Sequence, residues 1–137
     1  MKPCRVVMML VVAALCGAAD AQEFKPYPSP RITEAQWSSY YREVKDKHGA
    51  SVQQLVPERL IVFSDYASQT SYAFTQPGHP AHPAWIARQV VETQGGVGIR
   101  QVGYFAGDEA AFTAMYHVYE DLNDRIGEFM RRDVAAH

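Results

Sequence analysis

The chain has 137 residues, with 13 lysines and arginines against 15 aspartates and glutamates and a formal net charge of −2. This near balance, without a basic run, leaves no electrostatic footprint for nucleic acid or an anionic lipid surface. The two cysteines, Cys4 and Cys16, both precede residue 20, so the rest has no thiol for nucleophilic catalysis, redox exchange or a thiolate metal site.

The first residues are built as an export signal. Lys2 and Arg5 supply a cationic start, Val6 to Leu15 an unbroken apolar run, and Ala19 and Ala21 the small residues a signal peptidase accepts. That run is about half of what a helix needs to cross a bilayer. Cleavage after Ala21 and a periplasmic product without a stable membrane span are therefore expected. Lipidation at Cys16 is disfavoured, because Leu15 stands where that processing wants a small residue. Residues 1–21 form the signal peptide, 22–32 a proline-rich extended segment and 33–137 one domain. Removing 21 of the 137 residues leaves 116, enough for one core. Losing Lys2, Arg5 and Asp20 with them moves the net charge from −2 to −3.

Pro26, Pro28 and Pro30 fix the segment after the signal in extended form, as a strap laid on the surface. Thr33 and Gln36 then form a capping box, with Ile32 and Trp37 placed as a hydrophobic staple. Trp37, Tyr40, Tyr41 and Val44 recur at helical spacing, which predicts a helix over 34–48 stopped by Gly49. From Arg59 the chain becomes β-prone, with strands expected at 59–65, 70–76, 84–93 and 97–106. Gly98 and Gly103 in the last strand imply a bulge or tight bend. Sequential strands with short turns favour an antiparallel meander.

Asp108 caps the final helix, and Glu109 suits its positive end. Phe112, Met115, Tyr119, Leu122, Ile126 and Phe129 make an apolar seam on a 3.5 period. Asp121–Arg125 and Glu128–Arg132 are i,i+4 pairs on the solvent side. The seam reads as packing across the sheet, with a homodimer through this helix as the alternative. The fold class is α+β: a four-stranded antiparallel sheet with an N-terminal and a long C-terminal helix packed on one side.

The chemical interest lies in Gln76-Pro77-Gly78-His79-Pro80-Ala81-His82-Pro83, which joins the second and third strands. Pro80 suits the second place of a type I turn from His79 to His82, which brings both imidazoles within reach of one ion. Zinc or copper is the ion such a pair would hold. Two histidines are short of the three or four ligands a zinc site needs, and neither Asp65 nor Asp108 is fixed by spacing as another. The structural alternative has a histidine capping carbonyls or stacking on Trp85. Tyr72, Trp85 and Tyr104, on strands flanking the loop, suit a cleft for a small molecule or protein partner. Gly95-Gly96-Val97-Gly98 lacks the Lys-Ser/Thr of a phosphate loop. Ser64 and Asp65 with His79 or His82 would make a hydrolase, but no motif requires it.

The run Phe74 to Pro83, with Arg88-Gln89-Val90-Val91 and Gly103 to Asp108 after it, resembles a family of small exported proteins of Gram-negative bacteria. The resemblance covers roughly residues 60–112 and implies a periplasmic location and a single domain. It carries no established activity and no functional residues. The leading expectation is a non-catalytic binding domain using Tyr72, His79, His82, Trp85 and Tyr104. A metal-binding protein through His79 and His82 comes second, and a hydrolase third.

Overall fold

Helix α1, Glu34–His48, starts where its capping chemistry puts it: Gln36 N donates to Thr33 Oγ1 at 3.1 Å and Thr33 N to Gln36 Oε1 at 2.9 Å. In this computed structural model residues 24–136 are described, with side chains through residue 132. The expected signal peptide, its expected cleavage point and both cysteines lie outside the described residues. Gly49 ends α1 in right-handed conformation at φ −60°, not left-handed, and a 3₁₀ turn, Gly49–Ser51, carries the chain on.

The sheet is an antiparallel meander of five strands, one more than the sequence suggests: β1 Gln53–Leu55, β2 Leu60–Asp65, β3 Thr70–Thr75, β4 Ala84–Thr93 and β5 Gly96–Phe105, paired in that order. The extra strand, β1, pairs with Leu60–Val62 on the outer edge. Its two glutamines are exposed, so it shows neither alternation nor an apolar run.

Strand alternation creates two cores, and they overturn the expectation of both helices on one side. Phe63, Tyr72, Phe74, Trp85 and Tyr104 pack with Tyr40 and Val44 of α1 on one face. Leu60, Ala84, Ile86 and Phe105, shifted one residue along the same strands, pack with Phe112 and Met115 on the other. The second cluster belongs to helix α2, Glu109–Ala136, which Asp108 caps by accepting from Ala111 N at 2.8 Å. The sheet is thus sandwiched between helices, because β3 and β4 bury both alternating sets of side chains.

No bulge interrupts β5. Its register with β4 runs unbroken from Thr93↔Gly96 to Ala84↔Phe105. Gly103 has a packing reason instead: a Cβ there would lie 2.6 Å from Phe112 Cζ.

The apolar seam of α2 is only half used. A straight helix repeats every 3.6 residues, so a 3.5-period stripe drifts roughly 20° per heptad across the surface beneath it. Phe112 and Met115 are buried, whereas Leu122 is 37% and Phe129 71% exposed. Asn123 takes the sheet-facing place beside Leu122, bonded to Gln101. Of the two predicted i,i+4 pairs, Glu128–Arg132 closes, at 2.6 Å.

Candidate functional site

The predicted turn forms, and its imidazoles are committed to holding it. His82 N donates to His79 O at 3.0 Å, closing the turn around Pro80. His79 Nδ1 accepts from Ala81 N at 3.0 Å, which puts the His79 ring proton on Nε2. Burial lowers the His79 pKa, with the nearby His82 and Arg59 adding to the effect. His82 Nδ1 lies 2.8 Å from Thr75 Oγ1 and 3.1 Å from Thr75 O. The Thr75 hydroxyl donates to Ala84 O at 3.1 Å, so it accepts from His82 and the His82 proton sits on Nδ1. The His82 ring also packs edge-on against Trp37, at 5.1 Å, and not against Trp85. The His82–Pro83 bond is cis.

The wiring of His79 opposes chelation, whereas that of His82 leaves its Nε2 unprotonated. A metal on His79 Nε2 needs that nitrogen unprotonated, which would point a proton on Nδ1 at the Ala81 amide. No group of three or more His, Cys, Asp or Glu side chains is gathered among the described residues.

The remaining expected site residues separate from the loop. Tyr72, Trp85 and Tyr104 are at most 2% exposed. They stack in the α1-side core, with Tyr40 at 4.4 Å and Tyr104 at 4.7 Å from Trp85. Ser64 registers with Ser71, whereas Thr75, the partner of His82, registers with Leu60 four residues away. That separation is roughly 13 Å along the strand, so Ser64 and Asp65 do not join His79 or His82. Asp65 is occupied in its own turn, accepting from Ala67 N and Ser68 Oγ.

A different candidate lies on the α2 face. The registers Ser64↔Ser71, Ser71↔Arg88 and Arg88↔Gln101 align four polar side chains in one row across four strands. Asn123 closes the row from above: Arg88 Nη1 donates to Asn123 Oδ1 at 3.1 Å, and Asn123 Nδ2 to Gln101 Oε1 at 2.6 Å. The guanidinium carbon stands 4.7 Å over the Tyr119 ring. On the hairpin side of this row, Val90, Ile99 and Ile126 wall a cleft of about 440 Å³.

Arg88 is the unusual member. Its partners are an amide and an aromatic face, and among the described residues no carboxylate stands within ion-pair distance of it. Burial lowers its pKa. A desolvated cation without a counter-ion is costly, and an anion entering the cleft would relieve that cost. Ser64 and Ser71 line the same cleft, as does Asp65, whose carboxylate accepts from Ala67 N and Ser68 Oγ. The volume falls in the usual range for small-molecule sites, roughly 300–1,000 Å³, and the mix of apolar walls with a few converging polar groups fits that class.

Sequence reasoning missed this site because its polar members are spread over four strands at irregular spacing. Their alignment exists only once the register is known. The one available signal was Arg88 itself, a cation inside the β-prone run 84–93. Comparison with protein-family models, with curated proteins and with solved structures finds no match to this chain.

Proposed function

We propose that this protein is a small exported, non-catalytic binding domain whose ligand is an amphipathic anion, held in the cleft between the sheet and α2. The observation that carries the reading is Arg88: a half-buried guanidinium facing an apolar-walled cleft with no acidic partner among the described residues. A carboxylate fits best, since a planar guanidinium pairs with it in two parallel hydrogen bonds. Ser64 and Ser71 supply further donors, and Val90, Ile99 and Ile126 receive the apolar part. Export and a periplasmic setting rest on the signal-like N-terminus and the resemblance over residues 60–112. The wiring of His79, which puts its proton on Nε2, weighs against a His79–His82 zinc or copper pair. The distance between Ser64 and the histidine loop weighs against the hydrolase.

Decanoate and decanol share an apolar tail and differ in the head group, so calorimetric titration of both tests the proposal. Decanoate is expected to bind and decanol to bind at least tenfold more weakly. Arg88→Gln should weaken decanoate roughly tenfold to a hundredfold, the equivalent of the 1.5–3 kcal/mol typical of hydrogen bonds to a charged group. Ile126→Asp, which leaves Arg88 in place, should weaken both ligands. Equal affinity for acid and alcohol, or an unchanged Arg88→Gln, would overturn it.

A further inference from the structure

We propose that the outer edge of β5, between the proline strap and the first turns of α2, receives an extended segment of a partner protein as a sixth strand. This surface is separate from the Arg88 cleft and stands on other observations. The strap shows which backbone groups face outward. Phe105 N donates to Pro30 O and Ile32 N donates to Phe105 O, both at 2.9 Å, so the Phe105 amide and carbonyl point away from β4. Strand geometry alternates, so Val97, Ile99, Gln101 and Gly103 point the same way. Their N–H groups have no partner among the described residues, and only the Gln101 carbonyl is approached, by Tyr116 Oη at 3.4 Å.

The chain's own extended segment already uses this edge, through the parallel bridge Arg31↔Phe105. Below that bridge the edge is the floor of a groove of about 400 Å³. Tyr27 and Pro28 of the strap wall it on one side, and Phe112, Thr113 and Tyr116 of α2 on the other. An open edge is ordinarily a liability that proteins cover or blunt. Here, among the described residues, it is recessed but not covered.

The recess selects the occupant. A second copy would bring a β5 edge recessed over Gln101–Tyr104 between its own strap and helix, so over that stretch the walls of one copy would oppose those of the other. A single extended chain enters, and its side chains alternate between the two walls. Those facing α2 meet the Phe112 and Tyr116 rings and are expected to be apolar. Those facing the strap meet Tyr27 and Lys25, which favours an aromatic or acidic residue.

Panning a displayed library of decapeptides on the purified protein supplies the probe. The peptides recovered are expected to bind in the micromolar range and to slow hydrogen exchange of the Ile99, Gln101 and Gly103 amides at least tenfold. Methylating alternate peptide nitrogens should weaken binding at least tenfold, while methylating the intervening ones should not. Thr113→Trp, at an exposed helix position, should narrow the groove and weaken binding by a similar factor. The proposal is overturned if no peptide is enriched, or if bound peptides leave those three amides exchanging as before. Protection that appears without peptide and grows with protein concentration would point to a second copy and would also overturn it.

Discussion

Single atoms decide several features of this protein, and Gly103 is the plainest case. Its missing Cβ is what lets the Phe112 ring reach the sheet, since an added methyl would sit 2.6 Å from Phe112 Cζ. Gly103→Ala should therefore destabilise by about 1–3 kcal/mol, the usual cost of overpacking, as measured by chemical denaturation. His79 sets a second test. Unfolded, it takes up its proton near pH ~6.5. Folded, burial and the neighbouring His82 and Arg59 hold its pKa lower. Between those two values the unfolded state binds more protons, so stability should fall as the pH drops below about 6.5. His79→Asn, whose side-chain oxygen can take the same Ala81 amide, should flatten that slope in thermal melts at roughly pH 7.5 and 5.5. Equal slopes in the two proteins would contradict the assignment.

At the scale of elements, helices and strands differ in how openly they were written. The capping box of Thr33 and Gln36 and the i,i+3,i+4,i+7 run from Trp37 placed α1 to the residue, because both signals are local. The four longer strands were legible from β-branched and aromatic runs. β1 was not, since three edge residues with two exposed glutamines bury too little to leave a pattern. The side each helix takes was also hidden. Apolar residues at both parities of β4, Trp85 and Ala87 against Ala84 and Ile86, announce two buried faces only when the strand is known to be central. The α2 seam misled in another way: its 3.5 period reads as one continuous packing stripe, yet on a sheet the stripe rotates away. Phe112→Ala should cost about 3–5 kcal/mol, the range for deleting a buried aromatic ring. Phe129→Ser, on the exposed end, should change monomer stability by no more than about 0.5 kcal/mol. The exposed Val118, Leu122 and Phe129 are what the expected homodimer would use. On that reading, Phe129→Ser should lower the apparent mass in sedimentation equilibrium.

Taken whole, the molecule is a sheet covered on both faces, with its chemistry at the margins of that cover. The aromatic core on the α1 side absorbs the residues whose composition suggested a binding cleft. The proline-histidine loop is a corner, fastened through Thr75 and Ala81. Among the described residues, openings lie where α2 runs out over the sheet, above the row Ser64, Ser71, Arg88 and Gln101, and where the strap stops short along β5. No helix among the described residues is long and apolar enough to cross a membrane. On the proposal made above, Arg88 receives an anion in the first of these openings. Nuclear magnetic resonance mapping with decanoate tests it most directly. Saturable shifts are expected at Ser64, Ser71, Arg88, Ile99 and Ile126, with the Arg88 guanidinium signal moving most. Shifts confined to other surfaces, or none while decanoate is bound, would contradict it.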